Sequence, residues 1–119
     1  MNLPHGDFLK FAQKLISKED TKINVYCVFT SIPTLGAFIE AAAQSSSAFE
    51  VKNDAKPKVG FLISTKNITL ENEITQKEYI FKLTKNIEIN TMKQFSFDAF
   101  AKIDDTKVVS GIFTILVQE

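Results

Sequence analysis

Three residues at helical spacing are the clearest candidates for chemistry in this sequence. Gly36, Glu40 and Gln44 stand four positions apart, so on a helix they line one face. Glu40 is the only charged residue between Lys22 and Glu50. A carboxylate among apolar neighbours is expected to be poorly solvated, which lets it exchange a proton near neutral pH. Glu40 is therefore a candidate general acid or base.

Each of the three residues also has a purely structural interpretation. A glycine near a helix N-terminus lets a ligand approach free backbone N–H groups, which can hold a carbonyl oxygen. The alternative for Gly36 is close packing of the helix on a sheet. Gln44 can position the carboxylate or a water, or it can make a structural hydrogen bond. Glu40 can instead bond across a dimer interface or cap a neighbouring loop.

The other reactive residue types occur singly. His5 is the only histidine and Cys27 the only cysteine, and one of each does not make a usual metal site. We expect no metal, and no cofactor, because the sequence has neither a Gly-rich phosphate loop nor a dinucleotide fingerprint. Cys27 is interpreted as a small hydrophobic residue in a strand. His5 lies near the N-terminus, where most histidines are simply solvated.

The candidate site residues fall on a predicted helix. Ser31 or Thr34 can cap its start, and Pro33 suits a position where no N–H partner is required. Residues 36–49 then contain no helix breaker and are rich in alanine. The side chains are small nearly all round, which is typical of a helix closely surrounded by other structure.

Strands account for the rest of the pattern. Residues 8–17 and 23–29 precede the helix, and residues 58–70 follow it. Tyr79 to Leu83 and Phe95 to Ala99 each alternate with period two, and residues 108–118 indicate a central strand. Turns are predicted at Asn90-Thr91 and Asp104-Asp105. The order is strand, strand, helix and four strands, which predicts an α+β fold with the helix packed on a sheet.

Composition narrows the class of partner. The 119 residues suit a single domain over 1–119, with 45% hydrophobic and 24% charged residues. Lysine supplies all 14 basic residues and balances 14 acidic ones, so the basic excess and arginine contacts of nucleic-acid binders are missing. No apolar run reaches the length of a membrane span, and the N-terminus does not look like a signal peptide. We expect a cytoplasmic protein that binds neither nucleic acid nor membrane.

At the helix the sequence resembles a known family. Residues 33–44, which end in Glu-Ala-Ala-Ala-Gln, resemble the central-helix signature of the 3-hydroxyacyl-(acyl-carrier-protein) dehydratases, which are hot-dog proteins. Residues 3–9 resemble the leucine-proline-histidine opening of these enzymes. Residues 56–66 look like the first strand after the helix in the branch associated with aryl-polyene synthesis, and residues 105–118 are similar to the last strand.

The resemblance implies a hot-dog fold, an antiparallel sheet of five to six strands wrapped around one long central helix. It also implies a homodimer or a dimer of dimers, with the sheets joined edge to edge and active sites between subunits. The substrate would be an acyl thioester of acyl carrier protein or coenzyme A. Glu40 would be the catalytic acid, with Gly36, Gln44, Gly60 and Phe61 as substrate-binding residues.

The sequence departs from the family pattern before the helix. The best-known dehydratases carry a catalytic histidine there, and counting back from Glu40 without gaps puts that position near Tyr26. His5 is then the only histidine that can serve as a second catalytic group. Two alternatives stay open: a hot-dog thioesterase, for which a lone carboxylate is enough, and a non-catalytic acyl-binding or regulatory module.

Overall fold

The structure is a computed structural model that describes residues 12–49 and 60–117. In these ranges the chain forms one helix, a short 3₁₀ turn and six strands, all antiparallel in a single sheet. The strands are β1 (Ala12–Lys18), β2 (Lys22–Val28), β3 (Gly60–Leu70), β4 (Glu78–Ile89), β5 (Met92–Ala101) and β6 (Lys107–Val117), and the helix is α1 (Leu35–Ser45). The order across the sheet is β1-β2-β4-β5-β6-β3. The predicted fold class and element order are confirmed.

Local hairpins build the middle of the sheet, and a long-range pairing adds β3 at its edge. The predicted turns at Asn90 and Asp105 are confirmed, and both residues have a positive φ, of 54° and 61°, which Asn and Asp tolerate better than most residues. β3 pairs only with β6 and ends the sheet order. The pairing of β3 shifts register twice, between Leu62 and Ser64 and between Lys66 and Thr69.

The helix packs on the sheet through one narrow face. Phe38, Ala41, Ala42 and Ser45 are fully buried and follow the i, i+3, i+4, i+7 spacing of an amphipathic helix. Three of these side chains are small, so the helix backbone lies close to the sheet. The prediction of a helix surrounded on all sides holds for this face only, because the side that carries Gly36 and Glu40 is exposed.

The ends of α1 follow from its capping residues. Thr34 is the N-cap, and its Oγ1 accepts a hydrogen bond of 3.2 Å from the Ala37 N–H. The predicted helix over residues 36–49 is too long, since α1 ends at Ser45 and a 3₁₀ turn, Ser46–Phe49, follows. The Ser46 and Ser47 hydroxyls donate to carbonyls three residues back, at 2.6 and 2.8 Å. Such bonds compete with the α-helical pattern. Among the described residues, no helix is long and apolar enough to cross a membrane.

Candidate functional site

A cleft of about 470 Å³ lies beside α1, and four of the six predicted site residues line it. Gly36, Glu40 and Gln44 form part of the helix wall, and Gly60 lies on the sheet side. The opposite wall comes from β3, β5 and β6 and is mostly apolar; its hydrophobic members are Leu62, Phe95, Ile115 and Val117. The cleft therefore combines a polar helix wall with a hydrophobic sheet wall, which forms its floor.

Gly36 is not explained by packing within the chain. A Cβ built at this position would meet only Thr34 Oγ1, at 3.9 Å, and the residue is exposed. The alternative of close helix-to-sheet packing therefore has no support here. The next two amides are occupied, since Ala37 donates to Thr34 Oγ1 and Phe38 to the Thr34 carbonyl. The Gly36 N–H is one of the first-turn donors that have no acceptor within a helix.

Glu40 and Gln44 interact directly along the helix. Gln44 Nε2 donates a hydrogen bond of 3.3 Å to Glu40 Oε1. Gln44 Oε1 is buried and has no hydrogen-bond donor among the described residues, which leaves an acceptor beside the carboxylate. Glu40 itself is exposed, so the prediction of a poorly solvated carboxylate is wrong for the single chain. The reason is that Glu40 stands away from the helix face that packs on the sheet.

The two predicted residues of β3 lie on different faces of the sheet. Gly60 lines the cleft, and a Cβ there would come within 2.7 Å of Ile115 Cγ2, so a side chain would crowd the floor. Phe61 is 51% exposed and pairs with Leu116, which is also exposed. Successive residues of a strand point to opposite faces. Phe61 therefore points away from the cleft, and its predicted contact with substrate is not seen in the single chain.

The position expected for the family histidine also lies outside the cleft. Tyr26 alternates with buried neighbours on β2, and its hydroxyl donates a short hydrogen bond to Glu78 Oε1. This bond raises the pKa of the Tyr26 phenol. Lys102 Nζ lies 5.2 Å from the centre of the same ring. Tyr26 is thus held by surface contacts, and His5 falls outside the described residues.

Lys93 belongs to the cleft and was missed by the sequence analysis. Its exposed fraction is 6%, and it lines the sheet wall beside Phe95 and Ile115. The sequence does indicate this position, because the alternation of Phe95, Phe97 and Ala99 extends back by one step and puts Lys93 on the same face of the strand. A lysine is normally found on the solvated face, so the alternation alone does not predict a buried side chain at position 93.

Cys27 is structural, as predicted. It is fully buried, and its Sγ lies 3.5 Å from Ser45 Oγ on the helix face that packs on the sheet. Burial raises the pKa of the thiol to about 12, against a weaker opposite effect of the Ser45 contact. The nucleophilic thiolate is therefore strongly disfavoured in the folded protein.

Comparison with known proteins identifies the fold. No protein-family model matches the sequence, and no curated protein matches it. Solved structures do match over most of the chain. The chain is similar to the dehydratase heterocomplex ApeI:P from Xenorhabdus doucetiae, with a TM-score of 0.74 and 15% identity over 98% of this chain and 88% of that chain.

Two further solved structures show the same architecture. A thioesterase family protein from Silicibacter pomeroyi gives a TM-score of 0.71 at 9% identity, covering 95% of this chain and 89% of that chain. The protein smu.793 from Streptococcus mutans, bound to acetyl CoA, gives 0.65 at 13% identity, covering 87% and 86%. These likenesses show that the chain has the hot-dog fold, as the resemblance at residues 33–44 predicts.

Proposed function

We propose that the protein binds the acyl group of a thioester, carried by acyl carrier protein or coenzyme A, in the cleft beside α1. We propose further that it acts on this group as a 3-hydroxyacyl dehydratase-like enzyme. The observation that carries the proposal is the hydrogen-bonded Glu40–Gln44 pair facing a hydrophobic floor in one cleft. The fold is shared with a dehydratase complex and with a protein bound to acetyl CoA.

The proposed reaction removes water across the C2–C3 bond of the acyl group. A base takes the C2 proton, the electron pair forms the C2=C3 double bond, and the 3-hydroxyl leaves as water after it receives a proton. Glu40 serves both steps if it passes the proton from C2 to the leaving oxygen. We propose that the Gly36 N–H holds the thioester oxygen as negative charge develops there. His5 stays a predicted second group.

Gln44 is proposed to orient both the carboxylate and the substrate. Its Nε2 holds Glu40 at 3.3 Å, which fixes the direction of that carboxylate oxygen. Its buried Oε1 lacks a donor among the described residues, and buried acceptors in proteins are nearly always satisfied. A 3-hydroxyl or an amide N–H of the substrate is the donor that we propose for it.

We propose that the working form is a homodimer joined through β3. This strand lies at the edge of the described sheet, and its apolar residues Phe61, Leu62 and Ile63 are 51%, 43% and 51% exposed. An edge strand with exposed apolar residues and no partner on its outer side in the described sheet tends to associate with another strand. A second copy placed here would also cover the open side of the cleft, which supplies the desolvation of Glu40 that the single chain lacks.

A thioesterase is the second candidate. Within the described part of the cleft there is one carboxylate, Glu40, and no histidine. Hydrolysis needs only a base that activates water against the thioester carbonyl, whereas dehydration benefits from two groups. A thioesterase family protein from Silicibacter pomeroyi and the thioesterase HI1161 from Haemophilus influenzae share the fold.

A turnover assay on matched thioesters separates the candidates. Saturated and 3-hydroxyacyl thioesters of coenzyme A and of acyl carrier protein are supplied, while enoyl formation is followed by ultraviolet absorbance and thiol release by a disulfide reagent. Cys27 adds little background because it is buried. Enoyl product that depends on Glu40 supports the dehydratase, and thiol release that depends on Glu40 supports the thioesterase.

The variant Glu40→Gln is expected to lower turnover roughly 10²- to 10⁴-fold, the usual contribution of general acid–base catalysis. It should leave the fold intact, since Glu40 is exposed and its bond to Gln44 is 3.3 Å long. Glu73→Gln, at an exposed carboxylate outside the cleft, is the matched control and should retain full activity. Full activity of Glu40→Gln would contradict both enzymatic candidates. Binding of thioesters without turnover would favour a non-catalytic module.

A further inference from the structure

Lys93 places a positive charge in the hydrophobic wall of the cleft. The strand register puts Glu88, Lys93, Ile115 and Leu62 in one row across β4, β5, β6 and β3. Ile115 and Leu62 line the cleft with Lys93, while Glu88 lies beyond it. Among the side chains that the structure describes, no other Lys, Asp or Glu is buried.

Lys93 forms an ion pair with Glu88, which does not line the cleft. Lys93 Nζ lies 3.3 Å from Glu88 Oε2, and Lys85 Nζ lies 3.2 Å from Glu88 Oε1. The Glu88 side chain is 45% exposed, whereas that of Lys93 is 7% exposed. The Glu88 carboxylate is therefore partly hydrated, whereas Lys93 is buried in the wall of the cleft.

A buried ammonium group discriminates between ligands that have a hydrogen-bond acceptor for it and ligands that have none. A methyl-terminated chain placed against Lys93 desolvates the charge and returns no hydrogen bond, which is unfavourable. An oxygen acceptor in the same place makes a charge-assisted hydrogen bond, and a carboxylate makes the strongest one. The apolar Phe95 and Ile115 beside Lys93 suit the methylene part of such a ligand.

We propose that Lys93 is a specificity residue that selects acyl groups bearing an oxygen acceptor, foremost a carboxylate, at the end distal to the thioester. The inference rests on the proposed binding of acyl thioesters in this cleft. In that arrangement the cleft holds the reacting end of the acyl group at Glu40 on the helix wall and its polar end at Lys93 on the sheet wall. The substrate class is then an ω-oxidised acyl thioester.

Three variants separate this role from a structural one. Lys93→Met keeps an unbranched apolar stem that ends at the ε position and removes the charged Nζ. Lys85→Met removes the other lysine that bonds to Glu88 but lies outside the cleft lining. Glu88→Gln leaves Lys93 in place and removes the carboxylate that lies 3.3 Å from it, and because the Glu88 side chain is 45% exposed this variant is expected to fold. Circular dichroism of each variant verifies folding.

Isothermal titration calorimetry on the full chain compares non-hydrolysable analogues of hexanoyl-CoA and adipoyl-CoA, which have the same carbon count and differ in the terminal carboxylate. The wild type should bind the adipoyl analogue at least about tenfold more tightly, as expected for a charge-assisted hydrogen bond. Lys93→Met should remove this preference, Lys85→Met should keep it, and Glu88→Gln should increase it.

Equal affinity of the wild type for the two analogues would overturn the inference, and so would an unchanged preference in Glu88→Gln. An equal loss of affinity for both analogues in Lys93→Met would also overturn it, because Lys93 would then contact a part common to all thioesters. Failure of the folded wild type to bind either analogue would overturn the proposed function together with the inference. Binding of both with no preference overturns the inference alone.

Discussion

Phe38 is the one large side chain on the buried face of α1, so its truncation tests how the helix that carries Glu40 is held. The other fully buried residues of that face are Ala41, Ala42 and Ser45. Phe38 packs edge-on against Tyr79, with ring centres 4.7 Å apart, and lies 5.8 Å from the Phe81 ring. Phe38→Ala removes these contacts and leaves a cavity between helix and sheet.

The expected loss of stability is about 4 kcal/mol. Truncation of a buried Phe to Ala costs about 3–5 kcal/mol, and aromatic pairs add about 0.5–1.5 kcal/mol each beyond buried area. The small neighbours Ala41 and Ala42 cannot expand to fill the space, which argues against the low end of this range. Since single domains are stable by about 5–15 kcal/mol, Phe38→Ala should fold but unfold at a much lower urea concentration.

Urea denaturation followed by far-ultraviolet circular dichroism measures the effect, at one fixed protein concentration because association changes apparent stability. Leu35→Ala is the control, since Leu35 belongs to the same helix but is 37% exposed, and it should cost less than about 1 kcal/mol. A loss below about 1.5 kcal/mol in Phe38→Ala, with an unchanged slope, would refute the argument. It would mean that the ring does not anchor the helix.

Two further predictions concern buried positions outside the cleft. Because burial raises the pKa of Cys27 to about 12 from 9.0, the native protein at pH 8 should resist a disulfide reagent that labels the unfolded chain. For the same reason, the buried neutral thiol should contribute to the free energy of unfolding below pH 9, and this contribution should be lost as the pH rises towards 12. Cys27→Ala should lessen this alkaline loss of stability. Rapid labelling of the native protein would contradict the burial of Cys27. Gly111→Ala should cost about 1–3 kcal/mol in urea denaturation, because the new Cβ would lie 2.3 Å from Ile68 Cδ1 and 3.3 Å from Ile68 Cα. Gly60→Ala should cost less, because its Cβ would crowd one atom, Ile115 Cγ2 at 2.7 Å, and no backbone; equal losses would refute the steric argument.

Much of the fold could be predicted because its signals are local. The alternation of Phe95, Phe97 and Ala99 predicts a strand with one buried face, and the Asn90 and Asp105 turns join neighbouring strands directly. The position of β3 beside β6 could not be derived from local pattern, since the two strands are far apart in sequence and the pairing is long-range. The family resemblance predicts the hot-dog fold as a whole, but the sequence analysis did not predict this pairing.

The site was only partly predictable for a related reason. Helical spacing alone brings Gly36, Glu40 and Gln44 to one face, and the structure places all three in one cleft. The solvation of Glu40 depends on what covers that face, which is a property of tertiary and quaternary packing. The side of the sheet that Phe61 occupies depends on strand register, and a one-residue difference reverses it.

The small residues that seat α1 on the sheet also determine how far the helix wall stands from the floor of the cleft. Ala41, Ala42 and Ser45 do not line the cleft, yet a larger side chain at any of them would lift the helix and move Glu40 away from Phe95 and Ile115. The width of the cleft is therefore determined by the helix face that packs on the sheet. Under the proposed function, substitutions at these three positions would change the size of the acyl group that fits the cleft without touching that group.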